Sequence, residues 1–127
     1  MTERPTLAVG LMSGTSLDGV DAALVRFNGP TRVSLLAFTT RPYSAAERAR
    51  IRAVLDGAGP RESALLHASL AEWAAEAVQA VLDAGETLAS DLGFISFSGQ
   101  TIWHEPPDVS WQLGEPAILV EQFGVPV

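Results

Sequence analysis

Apolar residues along this chain first occur in short runs and later at helical spacing. Leu7–Met12 and Val20–Phe27 are nearly continuous apolar stretches on either side of a polar segment rich in Gly, Ser, Thr and Asp. Arg32–Thr40 is a third such stretch, set off by Asn28-Gly29-Pro30. Runs of this length bounded by turn residues predict strands, and three in close succession predict an antiparallel meander. The period then changes. Ser44-Ala45-Ala46-Glu47 has the form of a capping box, which predicts a helix from there to about Asp56, with Gly57 as its stop. Arg61–Ala84 predicts a longer helix ended by Gly85, with Leu66, Leu70, Trp73, Ala77 and Val81 on its buried face. Trp73 reads as core at that spacing. His67 has no acid or second His at i±4, which argues against a ligand role.

Leu92–Phe97 predicts a further strand, leading into the polar turn Ser98-Gly99-Gln100-Thr101. Thr101–His104 and Val109–Leu113 flank Glu105-Pro106-Pro107-Asp108 and predict a small hairpin. Gly114-Glu115-Pro116 opens a short helix that Gly124 stops, and Val125-Pro126-Val127 begins another extended run. Three antiparallel strands, helices, strand, helix, strand is the order of one ribonuclease-H-like lobe of the actin/hexokinase type. The expectation is an α/β fold with a mixed five-stranded sheet. The last strand reads as cut after its first residues, so residues 1–127 are expected to be one incomplete lobe.

Composition narrows the function classes. The chain has 127 residues, enough for one domain, and 47% of them are hydrophobic, enough for a core. Fifteen acidic residues against eight Lys and Arg give a net charge of −7, with no basic cluster, which argues against nucleic acid as a partner. There is no cysteine, hence no disulfide and no thiolate metal site, which fits a cytoplasmic setting. No segment approaches the roughly 18 apolar residues of a membrane span.

The polar segment between the first two strands carries the candidate chemistry. Gly14 and Gly19 permit close backbone approach, and the hydroxyls of Ser13, Thr15 and Ser16 with successive N–H groups could line an anion site. Asp18 and Asp21 suit a hard divalent cation between protein and phosphate. The spacing Gly14-x4-Gly19 imitates a P-loop, but Val20 and Asp21 replace its Lys and Ser/Thr, and a strand follows instead of a helix. On residues alone the segment is either a phosphate loop on a hairpin or a polar turn closing a ribbon.

Three motifs carry a resemblance. Gly10-Leu11-Met12-Ser13-Gly14-Thr15-Ser16-Leu17-Asp18-Gly19-Val20-Asp21 resembles the N-terminal signature of anhydro-N-acetylmuramic acid kinases. Gly99-Gln100-Thr101-Ile102-Trp103-His104 is similar to that family's second motif, and Gln112-Leu113-Gly114-Glu115-Pro116 with Gly124-Val125-Pro126-Val127 to its third. The resemblance implies a cytoplasmic, ATP- and Mg2+-dependent sugar kinase. It would open the 1,6-anhydro ring of anhydro-N-acetylmuramic acid with water and phosphorylate O6, giving N-acetylmuramate 6-phosphate in peptidoglycan recycling. By position it makes Gly14, Thr15, Ser16, Leu17, Asp18, Gly19, Val20 and Asp21 the ATP loop. Asp18 is the first candidate for the metal, directly or through water, and Asp21 the second. Gln100, Thr101, His104 and Glu115 are candidates for the sugar. A homodimer is a further expectation.

The chain departs from the family in two respects. Ser98 stands where the family usually has His before Gly-Gln-Thr, exchanging a proton carrier for a neutral hydroxyl. Family members are also much longer, so the general base that activates water is expected beyond Val127. Glu115 is the local acid that could replace it, or else a helix N-terminal charge. The chain alone is therefore expected to be inactive. A non-catalytic remnant that binds a nucleotide or a partner is the alternative. A nuclease of ribonuclease-H type needs carboxylates on the central strands, and Leu7–Met12 and Leu92–Phe97 have none.

Overall fold

The computed structural model describes residues 5–127. Strands β1 (Thr6–Ser13), β2 (Gly19–Phe27) and β3 (Val33–Pro42) form the expected antiparallel meander. Helices α1 (Ala45–Leu55) and α2 (Pro60–Ala84) and a 3-10 turn (Ala89–Asp91) carry the chain to β4 (Leu92–Phe97). β4 pairs parallel with β1, giving the sheet order β3-β2-β1-β4. β5 (Gln100–Glu105) and β6 (Val109–Leu113) make a separate hairpin, and α3 (Pro116–Phe123) follows.

The mixed sheet thus has four strands among the described residues, and not the five expected. The final extended run does lie against β4, where the Ile95 N–H donates to the Pro126 carbonyl at 2.8 Å. Pro126 has no N–H to continue such a ladder, and one hydrogen bond does not make a strand.

One face of the sheet builds the core. Val9 and Leu11 of β1 stand in register with Leu24 and Ala22 of β2, and all four are buried. The predicted stripe of α2, Leu66, Leu70, Trp73, Ala77 and Val81, is buried too. The Tyr43 ring meets Trp73 edge-on at 5.5 Å, and the guanidinium groups of Arg41 and Arg50 lie 5.6 and 5.5 Å from the Trp73 ring centre. The opposite face of the sheet leaves Met12, Val33, Leu35 and Phe38 exposed.

An ion-pair hub fixes the end of β3. Arg41 donates to both carboxylate oxygens of Glu47 (2.5 and 2.8 Å) and through Nε to Glu76 (2.7 Å). The same Glu47 completes the capping box, accepting from the Ser44 N–H at 2.8 Å while its own N–H donates to Ser44 Oγ at 3.1 Å. One carboxylate therefore holds β3 to the first turn of α1. The hydrogen bond to Arg41 is the main reason that its pKa falls from 4.5 to about 2.

Candidate phosphate-binding site

The loop between β1 and β2 is held at its base and open at its tip. A turn closes where the Leu17 N–H donates to the Gly14 carbonyl at 3.3 Å. Leu17 takes a positive φ of 57°, unusual for leucine, and its buried side chain secures the turn to the core. The Asp18 carbonyl accepts the Tyr43 N–H at 2.9 Å, which ties the loop to the end of β3. Gly19 packs against that same backbone: a Cβ there would lie 2.3 Å from the Arg41 carbonyl oxygen. Gly14 is different, since a Cβ would meet only Ser16 Oγ, at 3.7 Å.

The exposed groups are those an anion would need. Gly14, Thr15, Ser16 and Asp18 are exposed, and the Thr15 and Ser16 N–H groups have no acceptor among the described residues. Val20 is buried on the helix side of the sheet, so its part in the expected ATP loop is packing. Asp21 lies half-buried on β2, where Oδ1 accepts the Thr40 hydroxyl at 2.7 Å. The Asp18 carboxylate makes no hydrogen bond or ion pair among the described residues. No group of three or more His, Cys, Asp and Glu side chains gathers as a ready metal cage among those residues. A single free carboxylate still fits Mg2+, which keeps several waters and completes its shell on phosphate oxygens. Asp18 and the 14–16 backbone are thus the groups that could hold a metal-bound triphosphate.

The second motif meets the first directly. Ser13 Oγ donates to the Gly99 carbonyl at 3.1 Å, across 86 residues of sequence. Gly99 has φ +70°, and a Cβ there would lie 2.5 Å from the Leu113 carbonyl oxygen. Gln100 is fully buried, its Nε2 donating to the Thr101 carbonyl at 3.3 Å. Thr101 Oγ1 accepts from Gln112 at 3.3 Å. His104 is exposed beside Ser110, with Nδ1 3.4 Å from Ser110 Oγ. It lies four residues along β5 from Gln100, about 13 Å at strand rise. Of the sugar candidates, Gln100 and Thr101 therefore adjoin the loop and His104 does not.

Glu115 caps α3. Its Oε1 accepts the Ala117 N–H at 3.0 Å, and Oε2 lies 3.2 Å from His67 Nε2. The Ala117 N–H chiefly, then His67, hold its pKa below the usual carboxylate value. A carboxylate so stabilised is a poor proton acceptor. His67 has an acid partner that helical spacing could not show, because it comes from 48 residues away. Its Nδ1 accepts the Gly114 N–H at 2.8 Å, so in the neutral ring Nε2 carries the proton and donates to Glu115. The His67 carbonyl also accepts the Glu115 N–H at 3.2 Å. These contacts hold the third motif against α2.

Comparison with known proteins agrees with this assembly of motifs. The family model for anhydro-N-acetylmuramic acid kinase matches residues 6–127. The chain belongs to the anhydro-N-acetylmuramic acid kinase family. It is 41% identical over 122 residues to the protein of that name from Paramagnetospirillum magneticum, a match covering 95% of this chain and 34% of the relative. The relative from Rhizorhabdus wittichii is 40% identical over 129 residues, covering 95% of this chain and 35% of that protein. The Bordetella pertussis relative is 42% identical over 126 residues, covering 95% and 32%. The chain thus spans about a third of the length of these family members. The three motifs that carry the resemblance fall within that third, and Ser98 is exposed on the turn that Ser13 holds. No described helix is long and apolar enough to cross a membrane.

Proposed function

We propose that this chain supplies the phosphate-binding lobe of a cytoplasmic, ATP-dependent kinase acting on anhydro-N-acetylmuramic acid. The reaction is ring opening of the 1,6-anhydro sugar by water and phosphorylation of O6, giving N-acetylmuramate 6-phosphate for peptidoglycan recycling. The lobe is of the ribonuclease-H-like type, with the 125–127 run as the start of a fifth strand against β4. The observation that carries the reading is the 14–18 loop. Its Thr15 and Ser16 are exposed, with N–H groups that have no acceptor among the described residues, and its base is fixed by Leu17, by Tyr43 and by the bond from Ser13 to the Gly99 turn.

In phosphoryl transfer most of the acceleration comes from positioning and charge stabilisation. The Thr15 and Ser16 N–H groups would hold phosphate oxygens, and their hydroxyls would add neutral donors. Asp18 would hold Mg2+ directly or through water, and Asp21, occupied by Thr40, is the weaker candidate. Bound Mg2+ would neutralise charge on the phosphates. Thr101 and the buried Gln100 amide would shape the sugar side of the loop. Glu115 and His67 would position the third motif and take no proton from water, which leaves the general base to residues outside this chain.

Titration of the 15N-labelled chain with Mg2+ and ATP tests the reading. Amide shifts should be confined to residues 13–19 and 98–101. With Mn2+ in place of Mg2+, line broadening should centre on Asp18 and be lost in Asp18→Asn. Shifts elsewhere, or equal broadening in the variant, would refute the assignment.

A further inference from the structure

Two buried polar atoms at the foot of the loop make no hydrogen bond of good geometry among the described residues: the Tyr43 phenol oxygen, which has the Ser13 hydroxyl as its polar neighbour, and Gln100 Oε1. Tyr43 and Gln100 are 3% and 1% exposed, so neither atom can be satisfied at the surface. Both residues line one small cavity, together with Ser13, Leu70, Phe97 and Gly99. The space open to a water's centre there is about 10 Å³. One water needs roughly 10–15 Å³ by that measure, together with two to four polar partners. Leaving either atom dry and unpaired would forfeit the hydrogen bond it makes to water in the unfolded chain.

From this we infer that Tyr43 and Gln100 form a binding site for a single internal water molecule. The hydrogen-bonding roles are complementary. Burial holds the Tyr43 phenol above its ordinary pKa, so it keeps its proton and donates. Gln100 spends Nε2 on the Thr101 carbonyl, and the reversed amide would set two acceptors against each other, so Oε1 accepts. Ser13 spends its hydroxyl proton on the Gly99 carbonyl, lines the same cavity and can still accept a hydrogen bond. A water in this space accepts from Tyr43, donates to Gln100 and has its second proton for Ser13. It joins the end of β3, the end of β1 and the start of β5, the three places from which the phosphate loop and the Gly99 turn are hung. Tyr43 and Gln100 are then positioning residues that act through one shared water.

A crystal structure of the chain at 1.5 Å or better tests the site. It should show one fully occupied water within about 3.2 Å of both Tyr43 Oη and Gln100 Oε1. An empty cavity, or a direct bond from Tyr43 to Ser13 or to Gln100 that closes it, would overturn the inference. Thermal melts supply a second measurement. Tyr43→Phe and Gln100→Met should each lower the melting temperature by about 3–10 °C, and the double variant should lose clearly less than their sum. Strictly additive losses would mean two independent packing residues and would overturn it too. Tyr43→Phe keeps the ring and its contact with Trp73. Should Gln100→Met fail to fold, the crystal structure of Tyr43→Phe decides. Loss or displacement of the water upholds the site, and an unmoved water overturns the part given to Tyr43.

Discussion

The two glycines of the β1–β2 loop should respond very differently to the same substitution. In Gly19→Ala the new Cβ would lie 2.3 Å from the Arg41 carbonyl oxygen, 2.8 Å from Pro42 Cα and 2.9 Å from the Arg41 carbonyl carbon. All three are backbone atoms, so no side-chain rotation relieves the clash. β3 would have to retreat from β2 by about 1 Å, where paired strands normally lie 4.7–4.9 Å apart. That retreat acts on the Gly19–Pro42 and Val20–Arg41 pairs and on the Tyr43 N–H bond to the Asp18 carbonyl. Overpacking costs roughly 1–3 kcal/mol and a lost hydrogen bond about 1 more, so Gly19→Ala should destabilise by about 2–4 kcal/mol. For a domain of this size that is a fall in melting temperature of roughly 6–20 °C. Gly14→Ala meets only the Ser16 hydroxyl at 3.7 Å and should stay within about 0.5 kcal/mol of the parent. Thermal and urea melts followed by far-ultraviolet circular dichroism measure both. A Gly19→Ala melt within 2 °C of the parent, or equal losses at the two positions, would refute the close-approach argument.

Other expectations follow from the hub, the third motif, the open sheet face and the proposal that the base lies outside this chain. Glu47 has its folded pKa lowered to about 2, so its stabilisation is complete above about pH 4.5 and is lost as pH falls toward 2. With the paired side chains only 20% and 18% exposed, its upper bound is about 3 kcal/mol. Urea midpoints of Glu47→Gln should be lower at pH 7 and flatter from pH 4.5 to 2, and a parallel acid limb would disprove the role. His67→Ala should speed hydrogen exchange at the Gly114 and Glu115 amides selectively, since it removes the acceptor of the Gly114 N–H. Leu35→Lys with Phe38→Lys should reduce self-association in sedimentation, because these side chains are 64% and 56% exposed on one sheet face. Incubated with ATP, Mg2+ and the anhydro sugar, the chain should give no 6-phosphate by mass spectrometry. Product in proportion to chain concentration would place the base within residues 1–127.

Local signals were legible where the physics is local. The Ser44–Glu47 capping box starts α1, and the stripe from Leu66 to Val81 is the buried face of α2. The first loop was legible as a loop for the same reason: its glycines, hydroxyls and carboxylate are contiguous in sequence, and the fold only has to hold its two ends. β3 runs on to Pro42, past the expected end at Thr40, because Gly19 and Val20 pair with Pro42 and Arg41. That extension is long-range, and no pattern within 32–40 contains it.

What sequence reading missed is all tertiary. His67 was judged by its helical neighbours, yet its partners are Gly114 and Glu115 on a loop that packs against α2. Tyr43 sits between a strand and a capping box and has no periodic signature, yet its N–H fixes the β1–β2 loop and its ring braces Trp73. Glu115 had two readings, as base or as helix-terminal charge. The bond from the Ala117 N–H favours the second, because a carboxylate stabilised as an anion gains little by taking a proton. The loop, Tyr43 and the Gly99 turn therefore constrain one another. Gly19 lets β3 approach, β3 delivers Tyr43 to Asp18, and Ser13 fastens the Gly99 turn beside them. A change at any of these positions should be read first through its effect on the other two and only then as a change in chemistry.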